Sequence, residues 1–383
     1  MKTVAVVTAT RAEYGILTPL IRAIFEDPEL TLSLLVTGTH LSPKFGFTKQ
    51  AILDDGFPIA AEIPILEEEN TPFGISKTVA NATVGFARYF SENRPDLLVI
   101  LGDRTEMLGI AIAAMNARIP IAHLHGGELT QGAVDDCVRH ALTKMSALHF
   151  PCTEVYRQRI LRLGEQPDRV FNVGSLGTEN ILRQPLLSEA QLRQDLKLPA
   201  DKPYSVVTFH PVTLEEGSAE SQVNALMEAM RQKNEYAYVI TMANADDGGD
   251  TVNCLLKAFC EEQPDASFYS SLGMRRYLSA VRYAAFVLGN SSSGVLEAPV
   301  IGTPTVNIGE RQTGRLMAPS VVNCAPSAPQ IVAAIEAAVR LPRTPSLLFG
   351  DGTTSRRIVS EIKNYLREAP SLKKTFYEGP VSG

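Results

Sequence analysis

Leu97–Leu108 reads LLVILGDRTEML, and Ile119–His149 reads IPIAHLHGGELTQGAVDDCVRHALTKMSALH. Two short apolar runs, Leu97–Leu101 and Ile119–Ala122, each end in polar and titratable groups. Gly102, Asp103 and Arg104 follow the first; His123, His125, Gly126, Gly127 and Glu128 follow the second. Apolar runs this short, with a helical pattern between them over 105–117, read as strands buried on both faces of a parallel sheet. Asp135, Asp136, Arg139, His140 and Lys144 come next at helical spacing. In an open α/β sheet, ligands bind just beyond the carboxyl ends of the strands. The cluster therefore marks a candidate site.

Outward from this stretch the same alternation continues. Thr3–Ala9, Leu32–Val36, Ala60–Ile65 and Ala147–Phe150 complete a first set of predicted strands, with helical patterns at 45–55, 75–92 and 133–146 and from Arg11 to Phe25. A second set begins at Tyr204–Phe209 and continues with Ala237–Met242, Ala266–Tyr269, Ala285–Leu288 and Thr305–Ile308. Its helices are expected at 217–232, 250–262, 274–284, 293–300 and 328–340. Between the sets, Gln184 to Pro203 reads as a helical connector with breakers, which puts a domain boundary near 175–200. Arg356–Arg367 is a further amphipathic helix, and the tail after Pro370 reads as frayed. Strands alternating with helices imply parallel sheets with right-handed crossovers. The fold class is thus α/β, with two doubly wound Rossmann-like domains and a cleft expected between them.

At 383 residues the chain exceeds one ordinary core. Its 45% hydrophobic and 20% charged residues are those of a globular protein. A net charge of -6 gives no global attraction to nucleic acid or an anionic membrane, so any phosphate must be held by a local site. No apolar run approaches the roughly 18 residues of a membrane span, and MKTVAVVTATRAEYG reads as a first strand, not a signal peptide. The cysteines, 137, 152, 254, 260 and 324, are odd in number and form no C-x-x-C pair. This pattern predicts a reduced, cytoplasmic chain without a cysteine zinc site.

Arg11 follows the first strand at the start of a helix, where backbone amides and the helix dipole favour an anion; an ordinary surface arginine would read the same. Gly289-Asn290-Ser291-Ser292-Ser293-Gly294 likewise opens a helix after a strand. Its small residues let a backbone approach a diphosphate, and Glu297 lies one turn further on, in reach of a sugar hydroxyl; a serine-rich helix cap is the plainer alternative. Neither G-x-G-x-x-G after the first strand nor a P-loop is present, so no nicotinamide or P-loop nucleotide is expected. His210 ends the strand YSVVTFH, placed to contact phosphate or carry a proton. His123-x-His125 resembles a metal pair, but no H-E-x-x-H accompanies it and no metal is expected. Asp103, Glu128, Asp135 and Asp136 supply several carboxylates at strand ends. Each alone reads as a cap or an ion-pair partner of Arg104, Arg139 or Lys144; together they suit general acid–base work.

At these residues the chain resembles the UDP-N-acetylglucosamine 2-epimerases, in particular the hydrolysing branch that opens sialic acid biosynthesis. The resemblance runs nearly the full length, through TATRAEYG, VTGTHLS, FGFT, PDLLVILGDRTEML, IPIAHLHGGE, DDCVRHALTKMSALHF, VFNVGSLGTENI, VVTFHPVT and GNSSSGVLEAP. It implies the two-domain, GT-B-like arrangement of many nucleotide-sugar glycosyltransferases, with a C-terminal helix crossing back to the first domain. The domains would be 1–180 with a helix in 355–375, and 181–354. It further implies binding of a UDP-sugar by Arg11, Ala12, Gly15, Arg104, His125, Arg139, Asn244, Ser291, Ser292, Glu297 and Arg311. Asp103, Glu128, Asp135 and His210 match the family's catalytic positions, with base and acid undivided among the carboxylates. No cofactor is implied, and members are usually homodimers or homotetramers.

The implied chemistry removes the C2 proton with anti-elimination of UDP, then hydrates the 2-acetamidoglucal to N-acetylmannosamine. One departure stands out: some members carry Glu where this chain has His125, while Glu128 of HGGE is kept. That departure leaves open which carboxylate is the base, and it leaves room for a different sugar, such as the 2,4-diacetamido-trideoxy sugars of the legionaminic acid route. Phe268-Tyr269 and Leu272-Gly273-Met274 are the candidates for covering the uracil. A glycosyltransferase on the same fold is the alternative from another class; the carboxylate set disfavours a nucleotide-sugar binding protein without catalysis.

Overall fold

The computed structural model describes residues 1–43, 46–67, 69, 71–129, 134–211, 218–243, 249–368 and 372–379. The chain divides into two units: Met1–Asn180 with Phe349–Gly383, and Ile181–Leu348.

In unit 1, six parallel strands form one sheet: β1 (Lys2–Thr8), β2 (Leu30–Thr37), β3 (Ile59–Ile63), β4 (Leu97–Leu101), β5 (Ile121–Leu124) and β6 (Leu148–Phe150). Their order is β3-β2-β1-β4-β5-β6, so chain direction across the sheet reverses between β1 and β4. Val4 pairs with Leu97 and Val6 with Val99. Because side chains alternate across a strand, β1 feeds two cores. Val4 and Val6 pack with Leu17 and Ile21 of α1 (Arg11–Phe25) and with Ile358 and Ile362 of α14 (Thr354–Glu368). Ala5 and Val7 face Phe86 of α3 (Pro72–Glu92) and Met107 and Ile110 of α4 (Thr105–Asn116). The C-terminal helix α14 belongs to unit 1. Its apolar stripe packs on α1, Lys363 pairs with Asp27 and Glu29, and the Ser355 amide and hydroxyl both donate to the buried Glu179 carboxylate at 2.6 Å.

In unit 2 the strands are β7 (Tyr204–Thr208), β8 (Ala237–Thr241), β9 (Ala266–Tyr269), β10 (Phe286–Gly289), β11 (Thr305–Ile308) and β12 (Val321–Cys324). The order β12-β11-β10-β7-β8-β9 repeats the topology of unit 1, with the reversal between β7 and β10. Val207, Leu288 and Val306 pack on one face with Leu226 and Leu256; Val206, Val239 and Val287 pack on the other with Leu278 and Ala298.

Several expectations shift. The strand predicted at Ile119–Ala122 begins two residues later. The Ile119 amide closes the end of α4 on Ala114, and Pro120 has no amide to enter the ladder. His123 therefore lies inside β5 and is fully buried, instead of standing beyond it. The edge strand β12 and helix α6 (Glu154–Arg162) were not anticipated. Val321–Cys324 is half-exposed without alternation, and α6 has only Tyr156 and Ile160 buried, so neither leaves a clear period in the sequence. The tail beyond Pro370 does not fray over 373–377. Lys374 bonds the Lys144 and Ser146 carbonyls and the Glu165 carboxylate, Phe376 covers Gly164, and the Tyr377 amide donates to the Gly164 carbonyl.

Candidate functional site

In unit 1 the ends of β1, β4 and β5 carry the candidate groups. Thr10 caps α1, its hydroxyl accepting from the Glu13 amide. Arg11 and Ala12 are exposed at the helix start, where amides lack intrahelical acceptors. Gly15 lies in the second turn, its carbonyl taken by Asn180 at 2.6 Å; a Cβ there would meet nothing within 4 Å. Glu13 turns back, and its carboxylate accepts from the Ala9 amide at 3.2 Å and lies 4.0 Å from the Arg104 guanidinium. Burial pushes Glu13 up to about 7, against the pull of Arg104. Arg104 itself bonds Glu106 at 2.6 Å, so one half-exposed guanidinium is set between two nearly buried carboxylates.

Arg139 of α5 (Val134–Met145) is the hub of this end of the sheet. It is 4% exposed and bonds Asp103, Asp136 (3.0 Å) and the Glu128 carbonyl (2.9 Å). A single cation thus gathers residues beyond β4, beyond β5 and from the first turn of α5. Asp135, beside Asp136, is exposed; Glu106 first, then Glu13 and Asp135, raise Arg104 against the opposing cost of burial.

His123 serves this geometry from beneath. Its Nε2–H donates to the Gly102 carbonyl at 2.7 Å, which fixes the tautomer, and Nδ1 faces the Thr143 hydroxyl at 3.2 Å. Burial lowers it to about 3, so it stays neutral and ties β5 to the turn that carries Asp103. His125 is the first residue past β5, in the left-handed region at φ +61°. Its Nδ1 lies 3.6 Å from Glu128, and the Cys152 thiol donates to the same Glu128 oxygen at 3.8 Å. Gly127 (φ +79°) lets the HGGE turn close: a Cβ there would sit 2.3 Å from the Tyr156 carbonyl oxygen.

The metal pair suggested by H-x-H does not form, because His123 is committed to Gly102 and Thr143. The ligand atoms of His125, Glu128 and Cys152 do lie within 4.8 Å of one another. Burial, first, and the Glu128 carboxylate raise the Cys152 thiol well above its ordinary value. Without a metal it stays protonated, so a cation binding there would have to displace that proton.

In unit 2 the counterpart lies at the ends of β7, β10 and β11. The Asn290 side chain accepts from the His210 amide at 2.7 Å and donates to the His210 carbonyl at 2.8 Å, locking one strand end to the other. The Asn290 carbonyl in turn accepts from Gln312 at 2.9 Å and from Arg311 at 3.3 Å. Gly289 (φ +133°) permits this closeness; a Cβ would lie 2.0 Å from the Thr208 carbonyl oxygen. Ser291 then caps α12 (Ser292–Ile301), its hydroxyl accepting from the Ser293 amide. Ser291 and Ser292 are half-buried at the helix start, facing where an anion is favoured. Glu297 accepts from Ser293, which also accepts from Tyr277, and burial raises the Glu297 carboxyl.

Of the predicted site residues, Asp103, Glu128, Asp135, Arg104, His125, Arg11 and Ala12 thus stand at strand or helix ends of unit 1, with Arg139 inside α5. His210, Ser291, Ser292 and Arg311 do so in unit 2, with Glu297 in the second turn of α12. Asn244 lies outside the described residues. Met274 is exposed at the start of α11 (Gly273–Tyr283), whereas Tyr269 bonds the Leu196 carbonyl. Sequence reasoning gave no role to Asn290, Gln312, Glu13, Glu106 or Cys152. For Asn290 a signal existed: an amide side chain directly after a strand-ending glycine.

The UDP-N-acetylglucosamine 2-epimerase family model matches residues 22–363. The chain belongs to that family. It is 39% identical over 321 residues to a GDP/UDP-N,N'-diacetylbacillosamine 2-epimerase (hydrolyzing) of Campylobacter jejuni, covering 84% of this chain and 83% of that one. It is 36% identical to the polysialic acid biosynthesis protein P7 of Escherichia coli, over 99% and 98% of the two chains. Among solved structures, that of the Neisseria meningitidis UDP-GlcNAc 2-epimerase bound to UDP-GlcNAc superposes with a TM-score of 0.75 at 16% identity, covering 95% of this chain and all of that one. The family's two-domain α/β architecture is the one described above. No helix among the described residues is long and apolar enough to cross a membrane.

Proposed function

We propose that the chain is a hydrolysing 2-epimerase of a UDP-linked 2-acetamido sugar, converting UDP-N-acetylglucosamine and water to N-acetylmannosamine and UDP. The observation that carries this reading is the Arg139 hub, which assembles Asp103, Asp136 and the Glu128 turn at the strand ends of unit 1. Elimination needs a base for the C2 proton while the C1–O bond to UDP breaks. Hydration of the resulting glycal then adds a hydroxyl at C1 and a proton at C2. Both steps call for carboxylates held in fixed positions, the role assigned to Asp103, Glu128 and Asp135. The departing diphosphate calls for donors and positive charge, which we assign to Arg11, Arg104, Arg311, His210 and the amides and hydroxyls of Ser291 and Ser292. We assign Arg139 to positioning, since its guanidinium is spent on protein acceptors. The enzyme is taken to work in the cytoplasm as a homo-oligomer.

A second reading, hydrolysis and epimerisation of UDP-2,4-diacetamido-2,4,6-trideoxyglucose, is favoured by the name of the Campylobacter relative. Incubation with UDP-N-acetylglucosamine in deuterated water tests the reaction class. The expected products are UDP and free N-acetylmannosamine deuterated at C2. UDP-N-acetylmannosamine instead would mean a non-hydrolysing epimerase, and sugar transfer to an acceptor without C2 exchange would mean a glycosyltransferase.

A further inference from the structure

The tail beyond α14 docks where two helices of unit 1, α5 and α6, end. An ammonium has three donors, and Lys374 has an acceptor for each. Two are the Lys144 and Ser146 carbonyls at the end of α5, at 3.0 and 2.7 Å. The third is the carboxylate of Glu165, just past α6, at 2.6 Å. Glu165 is 1% exposed and also bonds His149 at 2.9 Å and Lys144 at 2.7 Å. The residues after Lys374 grip the same place. Thr375 accepts from the Gln166 amide group at 2.9 Å, Phe376 lies over Gly164, and the Tyr377 amide donates to the Gly164 carbonyl at 2.9 Å. The same two helices hold the HGGE turn. Arg159 of α6 donates to the Gly127 carbonyl at 3.0 Å, and Arg139 of α5 donates to the Glu128 carbonyl at 2.9 Å.

We infer that Lys374 is a positioning residue for the reaction: by fixing the end of α5 against the end of α6, it sets the direction in which Glu128 projects. The inference rests on the catalytic role proposed above for Glu128. The two carbonyls held by Arg159 and Arg139 belong to the planar peptide units on either side of the Glu128 Cα. Holding both planes therefore fixes the Cα–Cβ bond of Glu128, and each plane is held by a different helix. A slide of α5 along α6 would turn one plane against the other and swing the carboxylate. Only about 8 Å of α5 separates Arg139 from Lys144, so a shift at the tail reaches the turn with little chain to absorb it. Lys144 makes a second crossing, to the Leu163 carbonyl and to Glu165, but from a side chain that is 42% exposed.

The test compares wild type with Lys374→Met and with a chain ended after Leu372, each below its unfolding temperature; the point variant serves where the shortened chain does not fold. Turnover is read as UDP release from UDP-N-acetylglucosamine and from UDP-2,4-diacetamido-2,4,6-trideoxyglucose, and hydrogen exchange is followed over residues 125–129. Lys374→Met is expected to lower kcat about tenfold, less than the roughly 10²-fold that a 1 Å misplacement can cost, because Lys144 still crosses. KM and the affinity for UDP are expected to stay within about twofold, the pattern of a contact that matters only in the transition state. Exchange over 125–129 is expected to quicken in both variants. A variant that unfolds at a lower temperature yet keeps the wild-type kcat overturns the inference and leaves the tail an anchor for stability alone. Unchanged exchange over the turn overturns it as well, as does a raised KM with kcat intact. If wild type releases UDP from neither sugar, the proposed reaction fails, while the exchange comparison still decides whether the tail holds the turn.

Discussion

The two units share a strand order and a reversal point yet end their central strands in opposite chemistry. Beyond β1, β4 and β5 of unit 1 stand Glu13, Asp103, Arg104, Glu128 and Arg139, charged groups braced on one another through side chains or, for Glu128, through its backbone carbonyl. At the end of β10 in unit 2 stand Gly289, Asn290 and three serines, which present backbone amides and small polar groups. A doubly wound sheet provides only the place; the first few residues past each strand decide whether that place handles protons or phosphates. On the proposed assignments the carboxylates of unit 1 and the serine turn of unit 2 do different work, so their substitutions must fail differently.

Asp103→Asn and Glu128→Gln carry the largest expected effect. Each should lower kcat by about 10²- to 10⁴-fold, the usual weight of a positioned acid or base, with UDP affinity changed less than twofold. Isothermal titration with UDP beside steady-state turnover separates the two. A variant that loses UDP binding and keeps kcat would erase the distinction between the units.

Arg139→Met should cost about 3 kcal/mol of folding stability, the low end for breaking a buried ion pair, because its carboxylate partners are a quarter exposed. Urea unfolding checks this. Unchanged stability combined with a raised KM would make Arg139 a substrate contact and Asp103 self-supporting.

Glu13 gives the comparison a pH signature. Its carboxyl is pushed up to about 7 from an ordinary 4.5 by burial. A group whose pKa is raised on folding stabilises most below its unfolded value, and that contribution fades as pH climbs through the folded one. Stability should therefore decline between about pH 4.5 and 7, by on the order of 2–3 kcal/mol from this group. Glu13→Gln, which still accepts from the Ala9 amide, should flatten the slope in that window. The same slope in wild type and variant would mean that the carboxylate is solvated.

Ser292→Ala should raise the dissociation constant for UDP about fivefold, the worth of one hydrogen bond to a charged group partly offset by water, and leave kcat nearly unchanged. That is the mirror image of Asp103→Asn.

How much of this division the sequence shows follows from range. Period-2 and period-3.6 patterns are local, so most strands, the helices beside them and the acid-rich and serine-rich ends could be read directly. Whatever depends on a partner far along the chain could not. His123 looked like a ligand because its acceptor, Gly102, lies 21 residues away across the sheet. The tie of Arg139 to Asp103, which spans 36 residues, left no local signal beside its reading as a substrate contact. The docked tail looked frayed because Lys374 finds Ser146 across 228 residues.

The smallest expected effect is none at all, and it bears on the one place among the described residues where unit 1 could be read as a metal centre. His125, Glu128 and Cys152 bring an imidazole, a carboxylate and a sulfur close together. A cation there would turn Glu128 from the proposed proton carrier into a ligand. Without a metal, burial and the neighbouring carboxylate keep the thiol protonated, so a cation would first have to displace that proton. The proton points at Glu128, a donor that steadies the carboxylate without claiming it. Turnover should therefore stay within about twofold after exhaustive chelation, since no proposed step draws on metal-ion chemistry. Activity lost to the chelator and restored by zinc would move Glu128 out of the proton-handling set, and the burden of the chemistry in unit 1 would then fall on Asp103 and Asp135 alone.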